Sequence, residues 1–135
     1  MLDLNPKIIE LKKLGNDEIG FISLVENNIE IPFDVKRVYW TYNVPANTKR
    51  GMHAHKSLQQ LIIAISGKLK FILEDKFGNF SEFILDSPSK ALYIPSGFWR
   101  DIYFEENTTL LSIASLEYIE DDYIRDYDFF KSGKW

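Results

Sequence analysis

Apolar residues recur at every second position through most of the chain, which is the period of strands rather than of helices. Arg37-Val38-Tyr39-Trp40-Thr41-Tyr42 is β-branched and aromatic. Lys68-Leu69-Lys70-Phe71-Ile72-Leu73-Glu74 alternates charged with apolar side chains, as a strand with one wet face does. Gln60-Leu61-Ile62-Ile63-Ala64-Ile65 is apolar nearly throughout and ends at Ser66-Gly67, which predicts a hairpin turn. Further turn signals at Asp75 to Gly78, Asp86-Ser87-Pro88-Ser89 and Asn107-Thr108 bound the runs Phe80 to Leu85, Ala91 to Pro95 and Thr109 to Ser115. Short strands at intervals of about ten residues predict an all-β antiparallel sandwich or barrel. One short helix is expected near the C-terminus, Asp121 to Lys131, acidic at its start and followed by Gly133.

With 135 residues and no internal repeat or linker, the sequence is expected to form one domain, 1–135. Hydrophobic residues make up 45% and aromatic residues 15%, enough for a sizeable core. The net charge of −4 argues against a nucleic acid or an anionic membrane as partner, so any phosphate ligand must be held locally. Cysteine is absent, which removes disulfides, thiolate metal sites and cysteine nucleophiles. Asp3, Pro6 and Glu10 stand where an export signal needs an apolar run, and a cytoplasmic location is expected. The longest purely apolar run, Leu61 to Ile65, is far below the roughly 20 residues that span a bilayer.

Both histidines of the chain fall in Arg50-Gly51-Met52-His53-Ala54-His55-Lys56. On a strand, His53 and His55 share a face and present two imidazoles together, suited to a metal, to acid–base chemistry, or simply to water at an edge. By the same period Arg37 and Tyr39 share a face, with Tyr39 either a core aromatic or a phenol in a site. Only four of the sixteen basic residues are arginine, and Arg37, Arg50 and Arg100 lie in or beside the same strands. Arginine suits bidentate recognition of phosphate or carboxylate, so a small anionic ligand is expected there, the alternative being surface salt bridges.

Gly51, the H-x-H pair and Gly67 resemble the first motif of the cupin superfamily, and Pro95-Ser96-Gly97-Phe98-Trp99-Arg100 resembles the second. The superfamily's Glu ligand falls on Gln60 and its last His ligand on Arg100. A neutral amide and a permanent cation are poor company for a divalent ion, which predicts a metal-free site and no cofactor. The imidazoles, with an ordinary pKa of about 6.5, are then available for proton transfer.

More closely, the chain resembles the cupin-fold nucleotide-sugar 3,4-ketoisomerases that act on dTDP-4-keto-6-deoxyglucose. The matching stretches are Ile31 to Tyr39, Arg50 to Lys56, Leu85 to Pro88, Leu92 to Pro95 and Asp121 to Phe130. The resemblance implies a cupin jelly-roll β-barrel that forms a homodimer, with exchanged N-terminal strands, and moves a carbonyl from C4 to C3 of the hexose. It implies His53 as the base at C3, His55 and Tyr39 as helpers in proton movement, and Arg37 and Arg50 as diphosphate contacts, with Gln60 and Arg100 completing the substrate site. It also associates Arg100 with the gluco configuration of the product, whereas Ile19, just before Gly20, is apolar where relatives carry Tyr or Arg. Two other readings on this fold are a nucleotide-sugar 3,5-epimerase and a non-catalytic nucleotide-sugar-binding cupin.

Overall fold

The computed structural model describes residues 5–135. The strands among them are β1 (Lys7–Glu10), β2 (Lys12–Asn16), β3 (Gly20–Leu24), β4 (Arg37–Thr41), β5 (Thr48–His55), β6 (Gln60–Ser66), β7 (Leu69–Glu74), β8 (Phe80–Leu85), β9 (Lys90–Ile94), β10 (Trp99–Phe104), β11 (Thr109–Ala114) and β12 (Tyr123–Ile124). One α-helix, α1 (Tyr127–Ser132), follows them. Two five-stranded sheets run in the orders β1-β9-β6-β11-β4 and β12-β5-β10-β7-β8, and β2 pairs with β3 as a separate hairpin. All the strand pairings are antiparallel. Successive strands β5 and β6, like β10 and β11, lie in opposite sheets, which is jelly-roll connectivity. The all-β cupin-type fold is therefore present, as two facing sheets.

The period-two pattern explains the packing. Ile62 and Ala64 of β6, Leu92 and Ile94 of β9 and Leu110 of β11 meet Leu69, Phe71 and Leu73 of β7, Leu85 of β8, and Ile102 and Phe104 of β10 in one buried core. Each such fully buried Leu, Ile or Phe side chain contributes on the order of 1.5–3 kcal/mol. The alternate residues Leu61 and Ile63 are also buried, under Leu11 and Ile31 of the N-terminal segment. That double coverage is why β6 reads as a continuous apolar run rather than an alternating one.

Two local expectations are corrected. Ser66-Gly67 does not close a hairpin, because β6 and β7 lie in different sheets. The exposed turn carries the chain from one sheet to the other instead. A Cβ on Gly67, at φ 72°, would come within 2.2 Å of Thr108 Oγ1, so only glycine fits this close approach. Turn chemistry specifies that the chain reverses, not which sheet receives it. The helix expected from Asp121 to Lys131 is also shorter: Glu120–Asp122 is a 3₁₀ turn, Tyr123–Ile124 is β12, and only Tyr127–Ser132 is α-helical. Asp126 caps this helix by accepting from the Phe129 amide at 2.6 Å, and Gly133 ends it in the left-handed conformation at φ 66°. Upstream of the cap, pairing of Tyr123 with His55 and of Ile124 with Ala54 holds the chain extended. Among the described residues no helix is long and apolar enough to cross a membrane.

Candidate active site

At one end of the sandwich the inward positions change from apolar to polar without a break in period. Gln60 continues the inward series of Ile62 and Ala64, Arg100 that of Ile102 and Phe104, and Ser112 that of Leu110. On the edge strand β4, Arg37, Tyr39 and Thr41 face inward, while Val38 and Trp40 are exposed. These three, with Gln60, Arg100 and residues of β5 and the C-terminal segment, line a cavity of about 770 Å³.

Its floor is one hydrogen-bonded network. Gln60 Nε2 donates to Tyr39 Oη at 2.8 Å and to Ser112 Oγ at 2.9 Å. Gln60 Oε1 accepts from Arg100 Nη1, and Arg100 Nη2 donates to the Phe98 carbonyl at 3.2 Å. Because Tyr39 Oη accepts from the amide, its own hydrogen remains available to the cavity. Arg100 is 2% exposed, and burial pushes its pKa down to about 10, still charged at neutral pH. Arg100 Nε and Arg37 Nε are buried donors with no partner among the described residues.

A bulge in β5 aims the first histidine. Gly51 and Met52 have φ of 83° and 56°, and the register against β10 shifts between Arg100 and Asp101. A Cβ on Gly51 would lie 2.7 Å from the Arg100 carbonyl oxygen. His53 Nδ1 stands 3.0 Å from the Gly51 carbonyl, and since that oxygen can only accept, the Nδ1 nitrogen carries the proton. Nε2 is left as the basic nitrogen. Burial first, and then the Arg100 charge, lower the His53 pKa to about 4, so the ring is neutral at physiological pH.

His55 occupies a different place. It is 1% exposed, does not line the cavity, and hydrogen-bonds through Nδ1 to Asp122 Oδ2 at 3.1 Å. Burial, followed by Arg100, His53, Arg37 and Arg125, lowers its pKa to about 2. The Asp122 carboxylate pulls the other way, but burial and three guanidinium groups act in one sense, and the contact is a hydrogen bond from a neutral ring. The two imidazoles meet at 4.9 Å between centroids and 88° between planes.

The C-terminal segment supplies a wall. Tyr123 lines the cavity and lies 5.1 Å from the His53 ring and 4.4 Å from the His55 ring. Arg125 stands over the Tyr123 ring at 4.3 Å and pairs with Glu120 at 2.7 and 3.1 Å, while the Tyr118 hydroxyl donates to the same carboxylate. These two partners hold the Glu120 carboxyl down to about 2. Charged side chains lining the cavity are Arg37, Lys49, Arg50, Arg100 and Arg125, with no carboxylate among them. An acidic protein thus presents a cationic cavity.

Of the residues singled out in the sequence, Tyr39, His53, Arg37, Arg50, Gln60 and Arg100 line this cavity, whereas His55 stands behind it and Ile19 sits on the exposed β2–β3 turn. The C-terminal aromatics divide. Tyr127 and Phe130 pack against Trp99. Tyr123 lines the site, and it was missed, with Asp122 and Arg125, because the helix expected from Asp121 to Lys131 hides a strand that pairs with β5; Tyr118, before that stretch, was not singled out either. The presence of Asp121 to Phe130 among the family-like stretches was the available signal.

The cupin resemblance raises the question of a metal at Gln60, Arg100 and the histidine pair. The donor set does not fit: Gln60 Oε1 is bound by the Arg100 guanidinium, and that permanent cation stands where a further ligand is needed. Among the described residues no group of three or more His, Cys, Asp or Glu side chains is arranged to hold a metal ion.

The sequence profile of the family described as FdtA, WxcM-like, C-terminal, matches residues 4–135. A TDP-4-oxo-6-deoxy-α-D-glucose-3,4-oxoisomerase from Aneurinibacillus thermoaerophilus is 39% identical over 127 residues, covering 93% of this chain and 89% of its own. The sugar 3,4-ketoisomerase QdtA from Thermoanaerobacterium thermosaccharolyticum, solved in complex with TDP, superposes with a TM-score of 0.89 at 38% identity, covering 96% of this chain and 93% of that one. The WlaRB TDP-quinovose 3,4-ketoisomerase from Campylobacter jejuni gives 0.88 at 40% identity over 95% of this chain and 98% of its own. On sequence, fold and site together, the chain belongs to the FdtA-type family of nucleotide-sugar 3,4-ketoisomerases.

Proposed function

We propose that this protein converts dTDP-4-keto-6-deoxyglucose to a dTDP-3-keto-6-deoxyhexose, acting as an isomerase in deoxy-aminosugar biosynthesis. The observation that carries the reading is His53: a neutral imidazole with Nδ1 anchored on the Gly51 carbonyl, leaving a basic Nε2 in a cavity lined by five cationic side chains. His53 removes the proton from C3, and the C–H electron pair forms the C3–C4 double bond as the C4 carbonyl oxygen takes the charge. Arg100 and the Tyr39 hydroxyl, both lining the cavity, are the donors suited to stabilise that oxygen. Protonation at C4 and loss of the O3 proton then leave the carbonyl at C3. C4 is reduced as C3 is oxidised, so the carbon skeleton supplies its own oxidant and reductant. Arg37, Arg50 and Arg125 at the cavity suit the diphosphate.

A homodimer with exchanged N-terminal strands belongs to the same reading. Val38, Trp40 and Tyr42 are 50%, 61% and 60% exposed, and Leu14 and Ile22 of the β2–β3 hairpin 52% and 66%, an apolar surface that a second copy would cover. In the exchanged form the partner's strand would take the slot beside β9 that β1 fills here. A cytoplasmic location matches the nucleotide-linked substrate.

Incubation with dTDP-4-keto-6-deoxyglucose in deuterated water, followed by NMR of the product, tests the reaction. Deuterium at C4 of a 3-keto product, with C5 still carrying protium, is the expected result. Deuterium at both C3 and C5 would make the protein a 3,5-epimerase. Binding without turnover on any keto-sugar would make it a non-catalytic module.

A further inference from the structure

Asp122 takes no part in the proton transfers above, yet it is nearly buried, 9% exposed, at the end of the 3₁₀ turn. Its carboxylate accepts from His55 Nδ1 at 3.1 Å, from the Ser57 amide at 2.8 Å and from the Leu58 amide at 3.3 Å. A carboxylate oxygen facing those donors can only accept, so Nδ1 of His55 must hold its proton and Nε2 its lone pair. The next residue, Tyr123, pairs with His55 through the backbone and lies against both imidazoles. His53 therefore has three constraints: the Gly51 carbonyl at its Nδ1, the Tyr123 ring, and the His55 ring set perpendicular to it. Two of the three depend on the segment that carries Asp122.

We propose that Asp122 is a positioning residue for the histidine pair: it fixes His55 as the Nδ1–H tautomer and, through that ring, holds His53 in the orientation from which it reaches substrate. The arrangement follows the logic by which a buried carboxylate sets the tautomer and pose of a histidine in hydrolytic triads, one ring further from the chemistry. A purely structural part for Asp122, stapling the C-terminal segment to the Ser57-Leu58 loop, uses the same backbone contacts but does not require the His55 bond. The consequence for rate rests on the isomerase reading; the consequence for the tautomer does not.

The chain has two histidines, so ¹⁵N-histidine labelling gives a spectrum with two imidazoles and no others. In the wild type His55 is expected as the Nδ1–H tautomer at pH 7. In Asp122→Asn, whose amide keeps one acceptor oxygen and puts a donor in place of the other, that signature should be lost or mixed. The variant's kcat should fall about 10- to 100-fold, as for a misplaced catalytic group, with KM for dTDP-4-keto-6-deoxyglucose changed less than about threefold. Asp122→Glu, which keeps the acceptor, should recover part of kcat. A wild-type His55 protonated at Nε2 overturns the proposal, and so does an Asp122→Asn enzyme with kcat within about threefold of wild type. A loss of kcat with both imidazole signatures unchanged also overturns it, in favour of stapling. If Asp122→Asn does not fold, the wild-type spectrum and the Asp122→Glu kinetics decide. Absence of wild-type turnover would remove the isomerase reading and leave the tautomer measurement standing.

Discussion

Arg100 of β10 and Gln60 of β6 join the two facing sheets through one hydrogen bond, from the guanidinium to the amide oxygen, in the interior of the fold. The same amide donates to Tyr39 and Ser112, so a single side chain sets the direction of three neighbours. Gln60→Leu keeps the size but removes the acceptor and both donors. It should lower stability by about 1–3 kcal/mol in urea unfolding, because the Arg100 charge loses a buried partner. Turnover should fall with it, since Tyr39 is freed to rotate. A variant as stable as wild type would mean that water replaces the amide.

His53→Asn should abolish turnover, a loss of about 10²–10⁴-fold for a missing general base, while calorimetric affinity for dTDP stays within a few-fold. The arginines that face the cavity are untouched by the change. Equal loss of binding and turnover would instead place His53 in ground-state recognition.

Both histidines are held neutral, His53 with a pKa lowered to about 4 and His55 to about 2. For activity, kcat/KM should stay flat from pH 7.5 down to about 5 as far as the base is concerned, and fall as pH passes through the His53 value. Stability has a different window. Below the ordinary histidine pKa of about 6.5 the unfolded chain takes up protons that the folded chain refuses, so stability is complete above that value and declines as pH falls. The slope is at most about 1.4 kcal/mol per pH unit per histidine. Urea midpoints measured from pH 7 to 5 should therefore drop, and less steeply in His55→Gln.

Exhaustive chelation is expected to leave full activity, because the residues in the cupin ligand positions bind each other. Activity lost on chelation and restored by one particular metal would require another ligand set.

Gly51→Ala should disturb the β5 bulge. The added methyl would stand 2.7 Å from the Arg100 carbonyl oxygen, on a residue with φ of 83°. A cost of at least about 1–3 kcal/mol is expected, together with a kcat loss as the His53 anchor shifts. Circular dichroism melts and steady-state kinetics check the two parts.

Much of this was legible because the sandwich obeys a period of two. The interior core, the inward placement of Arg37 with Tyr39, and the concentration of arginine around the histidines all follow from alternation and residue type. Connectivity was less so. Ser66-Gly67 has the chemistry of a hairpin, and nothing local tells the chain to enter the opposite sheet. The different surroundings of His53 and His55, which share a strand face by period, were not legible either. At the sheet edge β12 covers one and leaves the other open, and the contact responsible joins residues 67 positions apart, His55 and Asp122. Tyr123 was hidden for the same reason.

The interior of the sandwich has an apolar half and a polar half built on the same strands. Arg100, 2% exposed and with a buried Nε that has no partner among the described residues, is a costly residue for a folded chain to keep. Selection for heat resistance and selection for turnover should consequently act in opposite directions at this residue, although a few residues along the same strand, at Ile102 and Phe104, the two have no quarrel. A library screened for survival at high temperature alone would be expected to gather apolar replacements at position 100 and to return robust, inactive sandwiches.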